Sequence, residues 1–136
     1  MWLYEEQEFT DQQDYYGFIY LITNLTNNRK YIGRKYFTKS KTRQVKGKKR
    51  RSRITSDWSD YWGSNTELQN DVVQLGQDNF TRKIVRLCKT RVECSYYETK
   101  YILEVDALLK TEYYNGWLKC TINSNHLKHL VVNDGS

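Results

Sequence analysis

Apolar and aromatic side chains fill the chain from Phe18 to Ile22 without a break and stop at Asn24. A short run of this kind, bounded by turn formers, predicts a strand over residues 17–23. Asn24, Asn27 and Asn28 mark the turn, because Asn tolerates left-handed backbone and bonds its own backbone. Residues 29–33 return as a second strand. Side chains alternate along a strand, so Phe18, Tyr20 and Ile22 share one face and Ile19 and Leu21 the other. A hairpin symmetric about Leu25 and Thr26 sets Tyr20 directly opposite Tyr31, two phenols on one face. A slip of one residue would break that pairing.

Downstream, Leu68, Val72 and Leu75, with Val73, recur at helical spacing. They predict an amphipathic helix over residues 66–75, capped by Asn65 or Ser64 and stopped by Gly76. Residues 79–88 read as a third strand, in which Phe80 and Ile84 alternate imperfectly with Arg82, Lys83 and Arg86. Thr90 followed by Glu93 resembles a capping box. The helix it opens carries Tyr97, Tyr101, Val105 and Leu108 and ends near residues 110–112. Residues 36–53 predict a basic loop with a helical turn over 37–45. Residues 56–63 predict a short helix capped by Ser56 or Asp57 and closed by Gly63. Asn115-Gly116 is a turn signal, residues 118–122 are extended, and residues 131–136 are frayed. The expected architecture is an α/β (α+β) domain over residues 16–125: a small, three-stranded, mainly antiparallel sheet flanked by helices. Residues 1–15 form an arm whose Trp2, Leu3 and Tyr4 dock on the domain or on a second copy, and residues 126–136 form a tail.

The 136 residues suit one domain. Aromatic residues make up 15% of them, a proportion that argues against disorder. No apolar run reaches 18 residues, which excludes a membrane-spanning helix. The acidic first residues lack an apolar core, so no secretion signal is expected. Cys88, Cys94 and Cys120 are odd in number and scattered, which fits a reducing, intracellular compartment. With His126 and His129 they match no zinc spacing.

Charge sharpens the picture. The net charge is +6, but residues 29–53 hold 13 Lys or Arg and no acid, leaving 9 basic against 16 acidic residues elsewhere. A stretch so one-sided attracts a polyanion, most often nucleic acid. Lys46, Lys48, Lys49, Arg50, Arg51 and Arg53 form its densest part and are the candidate nucleic-acid contacts, mobile without phosphate because they repel one another.

Phe18-Ile19-Tyr20 after Gly17, followed by Tyr31-Ile32-Gly33, resembles the paired signature of the GIY-YIG nuclease family. The two tyrosines lie 11 residues apart, as in compact members, and the first triplet is stretched to Gly-Phe-Ile-Tyr. The resemblance covers residues 16–115 and implies a single-domain nuclease with no appended recognition domain, acting on DNA, double-stranded by expectation, as a monomer or a homo-oligomer. It implies that Tyr20 and Tyr31 stand at the active site, and that Glu98 is the single metal ligand, for Mg²⁺ or Mn²⁺. Glu93 and Glu104 are the competing carboxylates. It also implies a completing asparagine, Asn115 or else Asn123. The family's arginine on the first helix maps to Arg43, with Arg34, Arg51 and Arg53 as rivals. Many members carry a histidine before the middle helix; here Tyr61 occupies that place.

The chemistry that follows is hydrolysis of a phosphodiester bond. Arg34, Lys35 and Arg43 would stabilise the pentacovalent phosphate. Tyr20 or Tyr31 would deprotonate water, given that Arg34 and Lys35 lie close enough to lower a phenol's pKa from about 10. Two other readings stand beside this one: a nucleic-acid-binding module of the same fold that does not cut, and an interaction protein whose basic stretch docks an acidic partner.

Overall fold

A computed structural model of the chain describes residues 1–130. Among these, strands and helices run β1 (Trp2–Tyr4), β2 (Gln7–Glu8), β3 (Gly17–Asn24), β4 (Lys30–Tyr36), β5 (Thr38–Val45), β6 (Lys48–Thr55), α1 (Thr66–Leu75), β7 (Phe80–Cys88) and α2 (Arg91–Glu104). Short 3-10 turns lie between and after them, including Trp58–Asp60 and Ser124–Leu130. The order β2-β1-β7-β3-β4 makes one sheet, and β5 and β6 make a separate ribbon. All neighbours are antiparallel except β1 and β7. The α+β class is as expected, but the sheet has five strands where three were expected. The fraying expected at residues 131–136 lies outside the described residues. No helix among the described residues is long and apolar enough to cross a membrane.

The extra strands come from the supposed arm. β1 has three residues, too few to show an alternation in the sequence. Its anchor is Trp2, which is buried with its indole N–H donating to the Trp58 carbonyl at 2.7 Å. The same ring meets Phe18 and Tyr20 edge-on, at centroid distances of 4.9 and 5.4 Å. A buried indole needs a hydrogen-bond partner, and the 3-10 turn supplies one.

Each face of the sheet has its own core. Phe18, Tyr20, Ile22 and Ile84 pack with Trp2, Phe37, Trp58, Leu68 and Val72 on one side. Ile19, Ile32 and Cys88 pack against Cys94 and Ile102 of α2 on the other. α2 begins at the expected capping box: the Glu93 N–H donates to Thr90 Oγ1 at 3.1 Å, and the Glu93 carboxylate accepts from the Lys89 N–H at 3.1 Å. The imperfect alternation of β7 is a bulge. β3 pairs Ile19 with Arg86 but Tyr20 with Ile84, so Val85 is the extra residue.

The register of the β3–β4 hairpin differs from the expected one. Tyr20 pairs with Gly33, and Tyr31 with Ile22. Asn24 draws the loop out, since its Oδ1 accepts from both the Thr26 N–H (3.0 Å) and the Thr26 hydroxyl (2.7 Å), and Asn28 takes a φ of +60°. The centre therefore moves to Thr26–Asn27. Both partners shift by an even step, so the two tyrosines still share a face, as diagonal neighbours with ring centroids 6.1 Å apart. The Tyr20 phenol then lies across Gly33, where a Cβ would run into its oxygen and ring.

Residues 38–55 form an ordered ribbon, not a loop with a helical turn. Lys46 and Gly47 both have positive φ (+51° and +76°), the two-residue turn that suits the strand twist. The register sets most cations opposite neutral residues: Lys41 faces Ser52, Thr42 faces Arg51, Gln44 faces Lys49 and Val45 faces Lys48. That arrangement reduces the repulsion expected from the sequence.

Gly33→Ala should destabilise the fold by about 1–3 kcal/mol, the usual scale of an overpacked core, as read by urea unfolding. The cost should shrink in Tyr20→Leu/Gly33→Ala, because the clash is with Tyr20. Additive costs in that double-mutant cycle would show the two residues to be independent.

Candidate active site

β4 closes the sheet, so its outer side offers backbone groups without a strand partner. Two alternate residues find different partners for these groups, and a third is held through its side chain. The Lys30 N–H donates to the Glu112 carbonyl at 2.8 Å, and its carbonyl accepts from the Tyr114 N–H at 2.7 Å. Ile32 is held by one side chain: its N–H donates to Asn115 Oδ1 at 3.0 Å and its carbonyl accepts from Asn115 Nδ2 at 2.8 Å. At Arg34 the partner is Glu98 on α2, whose Oε1 accepts from Arg34 Nη1 at 2.7 Å.

Glu98 and the two phenols start on opposite faces of the sheet. They meet at its rim because Gly33 has no side chain to stand between them. One cavity of about 600 Å³ is lined by Tyr20, Tyr31, Arg34, Glu98 and Asn115. Tyr31 is oriented from outside, its hydroxyl 3.1 Å from Ser64 Oγ.

Burial sets the protonation of the site. It pushes Glu98 above the ordinary carboxyl value, and the Arg34 guanidinium and N–H offset only part of the rise. It pushes Tyr20, 1% exposed, well above the ordinary phenol value, with the charges of Tyr31, Tyr61 and Glu98 adding to the rise. Tyr31 is also raised by burial, against smaller lowering by the Ser64 hydrogen bond and Arg34. For Arg34, burial pulls the pKa down but Glu98 and Tyr36 together outweigh it, so it stays charged. The lowered phenol pKa expected from adjacent cations is therefore not found. Arg34 is occupied by Glu98, and desolvation dominates.

The remaining candidates lie elsewhere. Lys35 points to the opposite face from Arg34, its Nζ 2.6 Å from Asp57 Oδ1 and 4.0 Å from the centre of the Tyr61 ring. Tyr61 stands edge-on to Tyr20 at 6.0 Å, behind the cavity wall. Arg82 fixes Tyr61 from below, donating to its carbonyl at 2.8 Å while sandwiched between the rings of Trp2 and Trp62. Arg43 is exposed on the ribbon opposite Arg50. Lys46, Lys48, Lys49, Arg50 and Arg51 are exposed there too, whereas Arg53 binds back on Thr38 Oγ1 (2.8 Å), Ser40 Oγ (3.1 Å) and Tyr16 OH (3.4 Å). Asn123 is exposed and caps the Ser124–Leu130 turn through the His126 N–H at 3.2 Å. Glu93 is the helix cap already described, and Glu104 is an exposed partner of Lys100. Sequence reasoning missed Ser64 and Arg91, which also line the cavity. Ser64 carried no signal beyond a possible cap, and Arg91 lay inside the capping box.

The chain matches the family described as "Putative endonuclease segE, GIY-YIG domain" over residues 2–118. It is 32% identical over 101 residues to the "Putative endonuclease segE" of Enterobacteria phage T4, across 74% of this chain. The chain spans about 40% of the length of that relative. No solved structure matches the chain. The matched region takes in the tyrosine hairpin, the helix that carries Glu98 and the cavity between them, and the chain belongs to the GIY-YIG nuclease family.

Proposed function

We propose that the chain is a metal-dependent endonuclease that hydrolyses phosphodiester bonds of duplex DNA, inside a bacterial or phage-infected cell. One observation carries this reading. Two phenols from one face of the sheet and a carboxylate from a helix on the other line a single cavity at the rim of β4. The family match and the phage relative support it.

Glu98 is the one carboxylate on the cavity wall among the described residues. No group of three or more His, Cys, Asp or Glu that could hold a metal occurs among those residues. A lone oxygen ligand with open space beside it fits Mg²⁺ or Mn²⁺, ions that keep water and accept phosphate oxygens. Held by Glu98, such an ion supplies Lewis acidity at the phosphoryl oxygen and the leaving group. Arg34, charged and already at the site, neutralises the pentacovalent phosphate. Both phenols are neutral at neutral pH. Tyr31, the less buried, aligns the attacking water by accepting a hydrogen bond, and the proton of that water passes to a non-bridging oxygen of the phosphate. Tyr20 keeps its proton and donates toward the phosphate. Asn115 holds the rim of β4 in place, and Lys35 and Tyr61 support the wall behind Tyr20.

A second reading rests on the Arg34–Glu98 pair, which is self-sufficient as it stands. It fits a DNA-binding module that no longer cuts. Plasmid nicking separates the two. We expect nicking in Mg²⁺ and none in EDTA. Glu98→Ala should lower the rate by about a hundredfold or more, the scale of losing a group that stabilises transition-state charge, and leave DNA affinity in EDTA unchanged. Nicking by Glu98→Ala at the parent rate would refute the role of Glu98.

Burial also makes Glu98 a pH-dependent term in stability. Its folded pKa is raised above 4.5, so folding favours the protonated form. That contribution is complete below the unfolded value and is lost as pH rises through the folded one. Glu98→Gln stays neutral throughout. In thermal unfolding without metal it should melt above the parent at pH 7, and the gap should close as pH falls to about 4. A gap independent of pH would show that the carboxylate is not strained by burial.

A further inference from the structure

The β5–β6 ribbon is the largest feature that neither core explains. Among the described residues it pairs with itself and with no other strand, and both its faces are exposed beyond the base. A two-stranded hairpin of this kind has little stability of its own. It is nonetheless held at a fixed place. Phe37 is fully buried at its root, the Ser56 N–H donates to the Phe37 carbonyl at 2.8 Å, and Arg53 ties both strands to Tyr16.

Nine Lys or Arg and no acid lie in residues 38–55. Directly opposed residues share a face, which sorts them. One face carries Lys39, Lys41, Arg43, Lys48 and Arg50, with Arg43 directly across from Arg50. Like charges so placed repel, and no acid among the described residues pairs with them. The other face carries Thr42, Gln44, Lys49 and Arg51 beyond the Arg53 clamp. These are side chains that can hydrogen-bond as well as attract. A protein lying flat on phosphates needs cations on one face only. A ribbon charged on both faces fits a site with phosphate on either side.

We propose that the ribbon enters the major groove of duplex DNA, with Thr42, Gln44 and Arg51 against the base edges and the cations of the opposite face reaching the flanking phosphates. Eight residues per strand span roughly 26 Å, and the groove, about 12 Å wide, admits a two-stranded ribbon. Arg suits the N7 and O6 acceptors of guanine, and Gln the N6 and N7 of adenine. The ribbon would then choose the site that the cavity cuts. This rests on the DNA reading above but needs no cleavage.

The test uses full-length Glu98→Gln protein in EDTA. A duplex is selected from a random pool by binding, then remade with 7-deaza purines, which remove the N7 acceptor in the major groove. Affinity is read by fluorescence anisotropy. We expect a loss of about fivefold or more, the lower end for one bidentate base contact. The loss should shrink in a Gln44→Ala/Arg51→Lys variant. Replacing guanine by inosine, which removes only a minor-groove amino group, should change little. Equal affinity for the native and 7-deaza duplexes, a larger loss with inosine, or a pool that enriches no sequence would each overturn the proposal. A nuclease that nicks plasmid yet ignores 7-deaza substitution refutes the ribbon's role alone. A protein that senses 7-deaza substitution but never nicks refutes the cleavage reading alone.

Discussion

The outer edge of β4 is the constraint around which the domain is arranged. An edge strand must have its backbone groups covered, and here two alternate residues are covered by different groups while a third is held through its side chain. A stretch of the C-terminal segment bonds Lys30, an amide side chain bonds Ile32, and a carboxylate meets Arg34. The last two partners line the cavity. The backbone accounting of the sheet and the construction of the site are thus one problem. Gly33 supplies the remaining condition, since the chain is thinnest there and lets a ring from one face reach groups anchored on the other.

The site holds a tension that an ordinary core would not keep. Glu98 is driven up by desolvation even with a guanidinium in contact. The pair is only half-buried, and the guanidinium offsets part of that desolvation. Both phenols are likewise held away from ionisation. The fold maintains these groups because the surrounding packing is strong. Trp2, Trp58, Phe18 and Phe37 form a close aromatic cluster beneath Tyr20. Arg82, lowered by burial against a smaller opposing pull from Asp60, is enclosed between two indoles.

Much of this was legible in the sequence where a local rule was decisive. The run Phe18–Ile22 with three asparagines after it marked the hairpin, and Thr90 with Glu93 marked the start of α2. The signature tyrosines and Glu98 followed from the family motif. What escaped depended on contacts between distant residues. β1 is too short to carry a period, and only the pocket around Trp2 makes it a strand. The hairpin register turned on two hydrogen bonds to Asn24, which a symmetric loop does not anticipate. The ribbon's charge suggested disorder, yet its cross-strand register separates most cations. The protonation of Tyr20 and Tyr31 could not be inferred from adjacent cations, because a strand sends Arg34 and Lys35 to opposite faces and burial outweighs both.

The closure between Phe37 and Ser56 has a consequence for how such a domain can change. The two residues are already joined by a backbone hydrogen bond, so everything between them is a detour that begins and ends at nearly the same point. No residue of that detour lines the cavity at the sheet rim. On the reading proposed above, target preference would then drift over generations while the cavity stayed constant.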